Sequence, residues 1–177
     1  MHIFLQGQRG IGKSTVILKT LELISAGTGL TLGGFFTWKG SADDLNVYMK
    51  PANPDKVGEK YLLASWDPVN GRLLCDGQGF EHDGVRLLSE SKNADLIIMD
   101  ELGYLESKAT RFKNAVMDTL AGRATVLGVL RSGDVPWLDD IKKDPGVKLF
   151  DVDEKTRGIL PRELVSELGA SIGDINA

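Results

Sequence analysis

The chain has 177 residues, 42% of them hydrophobic and 26% charged, with 21 glycines, 6 prolines and a formal net charge of −4. A chain of this size and composition fits one globular domain that buries about 70% of its unfolded surface, and it leaves no room for a long disordered tail. No apolar run approaches the roughly 20 residues that cross a bilayer. Lysines and arginines are scattered along the chain and form no stripe, so nucleic acid is not the expected partner. The single cysteine, Cys75, has no partner for an internal disulfide; this suits a reducing, cytoplasmic setting, with the thiol as a small filler in a strand. Met1 to Leu5 carries neither a basic leader nor a cleavage site, so the chain is expected to open directly on structure.

In chain order, His2 to Gln6 reads as a buried strand. Lys13 to Ser25 reads as a helix, with Val16, Ile17, Leu21 and Ile24 on one face and Gly27 and Gly29 as its stop. Leu30 to Trp38 is an apolar and aromatic strand. From Lys39 to Phe80 the signal weakens, with strand candidates at Leu45 to Met49, Tyr61 to Trp66 and Arg72 to Cys75. Pro68-Val69-Asn70-Gly71 is a hairpin turn between the last two. This stretch is expected to add one or two antiparallel strands to the core and not to form a domain of its own. Alternation then returns: a helix over Gly84 to Ser91, and an apolar strand Leu96 to Met99 ending at Asp100-Glu101. A helix follows with Leu105, Ala109, Phe112, Val116 and Leu120 on one face, then a strand Thr125 to Leu130 ending at Arg131. A short helix at Trp137 to Lys142, a strand at Val147 to Phe150 and a helix from Thr156 to Leu168 complete the pattern. There is no internal repeat and no low-complexity segment. The expectation is a single α/β domain over residues 1–177, three-layered and mostly parallel, with helices on both faces and an antiparallel elaboration over 39–80.

Gly7-Gln8-Arg9-Gly10-Ile11-Gly12-Lys13-Ser14-Thr15 matches the phosphate-binding loop G-x-x-x-x-G-K-[ST] at every fixed position. Glycines let the backbone curl until successive N–H groups point at one anion, and the helix that follows adds its positive end there. In this reading Lys13 reaches the β- and γ-phosphates, and the Ser14 hydroxyl is a ligand of Mg²⁺. Chance alone places the pattern in roughly one chain of this length in two hundred. The apolar strand before it and the amphipathic helix after it make coincidence rarer still. Arg9 has either the γ-phosphate or solvent within reach, and solvent is the commoner place for such a side chain.

Asp100 and Glu101 end an apolar strand, and ligands of a parallel sheet gather at the C-terminal ends of its strands. Asp100 is a candidate second Mg²⁺ ligand, and Glu101 a candidate base or water-positioning group. Alone, such a pair is as readily a solvated loop cap; beside a Gly-Lys-Ser loop the chemical reading is the better one. Asp100-Glu101-Leu102-Gly103 also fits D-x-x-G of GTPases, but no Asn-Lys-x-Asp element is present to read guanine. Arg131 stands at a strand end on the ligand side, as either a sensor of phosphoryl charge or a surface ion pair. Arg157 is open in the same way, with stacking on a base as its functional reading. His2 and His82 are too isolated for a metal site. Trp38, Trp66 and Trp137 read first as packing anchors, with Trp38 and Trp137 close enough to strand ends to border a nucleotide.

The run Ile98-Met99-Asp100-Glu101-Leu102-Gly103-Tyr104-Leu105-Glu106 is similar to a D-E-[IL]-G-x-[ML]-E signature. With Gly7 to Thr15, Gly34-Phe35-Phe36-Thr37, Phe112, Val126-Leu127-Gly128 and the acidic turn before Arg157, the sequence resembles the THEP1-type nucleoside-triphosphatase family over nearly its whole length. That resemblance implies a RecA-like core, Mg²⁺ dependence, slow turnover and broad base tolerance. The chain departs from it at Gln8-Arg9, where the family usually has two prolines, at Thr156, where an Asn commonly precedes the arginine, and over Lys39 to Phe80. Hydrolysis of nucleoside triphosphates such as ATP and GTP is therefore the expected activity, with catalysis by Lys13, Glu101 and Arg131. Two alternatives stand beside it. One is a nucleotide-dependent module for a protein partner not identified; the other is a small-molecule or nucleotide kinase, disfavoured because Lys39 to Phe80 carries one arginine, Arg72.

Overall fold

The computed structural model describes residues 1–25 and 29–172; Gly27, expected to end the first helix, lies outside the described residues. Eight strands form one sheet: β1 His2–Gln6, β2 Leu32–Lys39, β3 Val47–Pro51, β4 Tyr61–Asp67, β5 Arg72–Leu74, β6 Leu96–Leu102, β7 Thr125–Leu130 and β8 Val147–Asp151. Five helices accompany them: α1 Lys13–Ser25, α2 Val85–Glu90, α3 Thr110–Leu120, α4 Leu138–Lys143 and α5 Leu160–Ile172. The strand order is β5-β4-β3-β2-β6-β7-β1-β8. The five strands from β2 to β8 along this order run parallel, and β3, β4 and β5 extend the β2 edge antiparallel. β7 thus lies between the strand that leads into the glycine loop and the strand that ends in the two acids.

Alternation along buried strands sorts side chains onto two faces. Ile3, Leu5, Leu96, Ile98, Leu127 and Val129 pack with Val16, Ile17, Leu164 and Leu168 of α1 and α5. Phe4, Ile97, Met99, Val126 and Leu130 pack with Leu87, Phe112, Val116 and Ile141 of α2, α3 and α4. Both faces of the parallel part are therefore covered, giving the three layers expected for such a sheet.

The middle of the chain holds three antiparallel strands, not one or two. The third forms because Asp67 accepts hydrogen bonds from the backbone N–H groups of Val69 and Asn70 and from the Asn70 side chain, closing the turn between β4 and β5. Three helix starts also differ from the sequence pattern. The stretch at Phe80–Gly84 is a π-turn that precedes α2. α3 begins at Thr110, so Leu105 and Ala109 pack from the turn before it. α5 begins at Leu160 because Asp153 accepts from the N–H groups of Lys155 and Thr156, and the Thr156 hydroxyl reaches back to Asp151 O; these bonds favour a turn over a helix. α5 then runs on to Ile172, past the expected end at Leu168.

Candidate active site

β1 delivers the chain into the glycine loop at the C-terminal edge of the sheet, and the next regular element is α1, which starts at Lys13 with no acidic residue in its first turn. Gly7 has φ +146°, and a Cβ there would lie 2.4 Å from the Val152 carbonyl oxygen, so no larger residue fits where the loop leaves the sheet. The turn is closed by Ile11 N–H to Gln8 O at 3.3 Å and Val16 N–H to Gly12 O at 2.9 Å. Lys13 is buried, with its Nζ donating to the Gly7 and Gln8 carbonyls at 2.8 and 3.0 Å. Burial lowers its pKa, a tendency opposed by the negative charges of Glu101 and Asp100. Ser132, one residue beyond Arg131, donates its hydroxyl to Gly7 O and ties the end of β7 to the loop.

β6 does not stop at Met99 but continues through both acids to Leu102. Its register against β7 breaks between Met99 and Leu102, so Asp100 and Glu101 occupy an irregularity next to the site, and the peptide joining them is cis. Asp100 is buried and its pKa is pushed up to about 6 by that burial, with a hydrogen bond from Ser14 acting against the shift. Asp100 and Ser14 are thereby in contact across the site. An all-oxygen pair of one hydroxyl and one carboxylate fits Mg²⁺, which takes its other ligands from water and phosphate oxygens. Glu101 is fixed from two sides: its N–H donates to the Thr37 hydroxyl at 3.1 Å, and its Oε1 accepts from Arg131 at 3.1 Å. The Arg131 guanidinium lies 4.5 Å from the Tyr104 ring centroid. Gly34-Phe35-Phe36-Thr37, prominent in the sequence, thus contributes Thr37 to the acid pair and Phe35 to the core, where its ring is 5.7 Å from Phe112.

Behind these residues a buried bracket holds the turn after β6. Gly103 donates its N–H to Glu106, and its carbonyl accepts from Trp137 Nε1 at 2.7 Å. Glu106 is 2% exposed, and burial raises its carboxyl pKa to about 7. Trp137 is therefore a structural donor, and the tryptophans that face the site are Trp38 and Trp66. Both line a cavity of about 620 Å³ that runs from Arg9, Ser14 and Asp100 past Arg131 to the antiparallel strands.

The structure brings Lys13, Ser14, Asp100, Glu101 and Arg131 together from three strand ends. Gln8, Arg9 and Gly10 form the exposed crest of the loop, and Arg9 reaches the cavity rim. Ile11 and Gly12 are half-buried beneath that crest, while Thr15 is exposed in the first turn of α1. Arg157 stands apart: it is exposed in the turn after β8 and does not border the cavity. Sequence reasoning missed Trp66, Lys39 and Arg72 as cavity residues. Their only signal was the departure of Lys39 to Phe80 from the family pattern.

A glycine loop and a carboxylate-ended strand, separated by one intervening strand of a parallel sheet, define a P-loop nucleoside-triphosphatase. A model of the NTPase family matches residues 2–165, and the chain belongs to that family. It is 29% identical to the nucleoside-triphosphatase THEP1 of Thermotoga sp. (strain RQ2) over 98% of this chain and 99% of that one. Its fold matches the crystal structure of THEP1 from Aquifex aeolicus with a TM-score of 0.77 at 22% identity, covering 95% of this chain and 99% of that one. It also matches the solution structure of a human cancer-related nucleoside triphosphatase with a TM-score of 0.76 at 24% identity, covering 96% and 98%. The likeness to THEP1-type nucleoside-triphosphatases therefore runs the length of the chain. Among the described residues no helix is long and apolar enough to cross a membrane.

Proposed function

We propose that the enzyme hydrolyses several nucleoside triphosphates, ATP and GTP among them, to diphosphate and phosphate in a Mg²⁺-dependent reaction in the cytoplasm. The observation that carries the reading is the meeting of Lys13, the Ser14–Asp100 pair and the Glu101–Arg131 pair at the C-terminal ends of β1, β6 and β7. The N–H groups of Gly7 to Thr15 cradle the β- and γ-phosphates, and Lys13 exchanges its two carbonyl partners for phosphate oxygens. Ser14 and Asp100 would hold the metal ion, which would supply positive charge to offset that of the phosphates. Glu101, held by Thr37 and Arg131, takes the proton of the attacking water. Arg131 moves from Glu101 toward the charge that builds on the γ-phosphoryl oxygens as the bond to the leaving diphosphate breaks. Arg157, on the other flank of the loop, meets the base, where an exposed guanidinium stacks on purines and pyrimidines alike. The unpaired thiol of Cys75 suits the reducing compartment.

Phosphate release from ATP, GTP, CTP and UTP tests this directly. The wild type should release phosphate from at least ATP and GTP and stop when EDTA is added. Glu101→Gln should keep nucleotide binding and lose about 10² to 10⁴ in turnover, the range for a positioned general base. Release from none of the four, or release indifferent to EDTA, overturns the reading.

A further inference from the structure

The run Asp100 to Glu106 does more than supply a metal ligand and a base. Successive residues in it touch one side chain from the neighbouring strand, Arg131. Glu101 accepts from the guanidinium at 3.1 Å, and the Leu102 carbonyl accepts from the Arg131 N–H at 2.9 Å. Gly103 leaves room for the stem: a Cβ there would lie 3.0 Å from Arg131 Cδ and 3.2 Å from Arg131 Cβ. Tyr104 presents its ring, with the guanidinium carbon 4.5 Å from the centroid.

The backbone does not require glycine at Gly103. Its φ lies outside the left-handed region that favours this residue, so the missing side chain serves the packing of Arg131. Gly103 is also held from behind at both of its polar backbone groups. Its N–H donates to Glu106, which is 2% exposed, and its carbonyl accepts from Trp137 Nε1 at 2.7 Å. Glu106 is itself anchored, because its backbone carbonyl accepts from Ala109 N–H at 2.8 Å.

An arginine has more rotamer freedom than most side chains, and its charge helps a reaction only where the guanidinium is held in register. Arg131 is fixed along its stem and open at its head, where the side chains of Arg131 and Glu101 are 30% and 33% exposed. A long cation held in this way can exchange one anionic partner for another without losing its place.

We propose that Leu102 to Glu106 is a seat for Arg131, in which Glu106 and Trp137 are positioning residues that act through Gly103. The seat rests on the role proposed for Arg131 above and adds the residues that aim the guanidinium. The stem stays packed on Gly103 while the head leaves Glu101 for the γ-phosphoryl oxygens, with the Tyr104 ring beneath it. Glu106 and Trp137 act without touching the nucleotide.

Phosphate release from ATP with Mg²⁺ is measured for Gly103→Ala, Glu106→Ala, Glu106→Gln and Trp137→Phe, each alone and each combined with Arg131→Ala. Arg131→Ala itself should lower kcat by about 10³-fold. Alone, Gly103→Ala and Glu106→Ala should each lower kcat at least about tenfold with KM within about twofold, since a misplaced charge costs rate and not ground-state binding. Trp137→Phe, which lacks the indole N–H, should lose about threefold or more, and Glu106→Gln, which keeps an acceptor, should stay within about threefold. Combined with Arg131→Ala, each should change kcat by less than about twofold, because no guanidinium remains to be aimed. If Glu106→Ala does not fold, Gly103→Ala decides, since its added methyl meets Arg131 first.

Losses of equal size with and without Arg131 would make these residues supports of the fold alone and overturn the seat, with Arg131 still catalytic. If Arg131→Ala keeps more than about a third of the wild-type kcat, or wild type releases no phosphate, the triphosphatase reading of Arg131 falls instead. The seat is then read without turnover. The Nε–H resonance of Arg131, assigned by its loss in Arg131→Ala, is displaced by the Tyr104 ring in wild type. Gly103→Ala and Glu106→Ala should each return it toward the signals of exposed arginines. A resonance that neither variant moves overturns the seat whatever the rates.

Discussion

One sheet carries two kinds of strand. β7, at the centre of the parallel part, is buried at all six positions, and β6 is buried at six of its seven. β5, at the antiparallel edge, has both end residues exposed and the middle one half-buried. The cause is coverage: helices close both faces of the parallel strands, while the β4–β5 hairpin presents Leu62 and Leu74 to solvent at 49% and 48% exposure. The difference sets how each half contributes to the site. Lys13 and Ser14 follow β1, and Asp100, Glu101 and Arg131 stand at the ends of β6 and β7, strands clamped on both sides, which holds these groups in place without any ligand. The wall facing them stands on strands held from one side, where residues change at little cost to the fold. In the proposed reaction, chemistry belongs to the rigid half, and the other half walls the cavity.

The largest effect that divides the halves is expected at Lys13. Its ammonium is buried and donates to two loop carbonyls, so Lys13→Ala removes the buried cation of the cradle. Turnover should fall by about 10³-fold or more, in line with loss of a charge that acts on the transferring phosphoryl group, while the melting temperature stays within a few degrees. A variant that keeps more than a tenth of the wild-type rate would mean that the parallel half does not hold the reacting phosphates.

Much of that half was legible in the amino-acid sequence, because burial on two faces writes itself as continuous apolar runs. Leu96-Ile97-Ile98-Met99 and Thr125 to Leu130 need no partner to be read as interior strands, and the glycine spacing of Gly7 to Lys13 follows from backbone conformation alone. The pairs that cross the sheet were not legible. Arg131 and Glu101 lie 30 residues apart, and nothing local told whether Arg131 faced a phosphate, a carboxylate or solvent. The bracket of Glu106 and Trp137 around Gly103 spans a similar gap, and it makes Trp137 the anchor it first reads as, not the nucleotide contact that a nearby strand end also allowed. The antiparallel wall was the least legible part. Half-exposed strands carry a weak alternation, and Trp38, Lys39, Trp66 and Arg72 are each ordinary until the hairpin folds them toward one cavity.

A smaller effect compares the halves in stability. Gly128 lies in mid-β7, and a Cβ there would stand 2.4 Å from Phe4 Cε1 and 2.9 Å from Met99 O. Phe4 is fully buried and has nowhere to go, so Gly128→Ala should cost about 1 to 3 kcal/mol as overpacking. At about 2 to 4 °C per kcal/mol for a domain of this size, thermal denaturation resolves that loss. In the hairpin turn, Val69 is 89% exposed, and Val69→Ser should stay within about 0.5 kcal/mol. Equal losses in the two variants would mean that the edge strands are as tightly specified as the centre.

The smallest effect lies at the seam, where the turn after β6 leaves the rigid half beneath the cavity. Glu106 has a carboxyl pKa raised from 4.5 to about 7 by burial, against the opposing hydrogen bond from Gly103. The folded state therefore binds its proton more tightly than the unfolded chain does. Its contribution to stability is complete below pH 4.5, declines as pH rises toward 7 and is gone above that. Asp100 has the same sign between 3.8 and about 6, again because burial disfavours its charge. The two contributions overlap at lower pH; between pH 6 and 7 Glu106 dominates them, while His2, whose pKa burial lowers from 6.5, acts there with the opposite sign. Denaturant unfolding in metal-free buffer should show wild-type stability falling across that interval by up to about 1 kcal/mol, the linkage expected for a fraction of one proton. Glu106→Gln keeps an acceptor for Gly103 N–H but cannot titrate, so its curve should lose that decline and keep only the opposing rise from His2, whatever its absolute level. An unchanged slope in Glu106→Gln would mean that water reaches this carboxylate from the cavity, and that the seam belongs with the open half of the molecule and not the closed one.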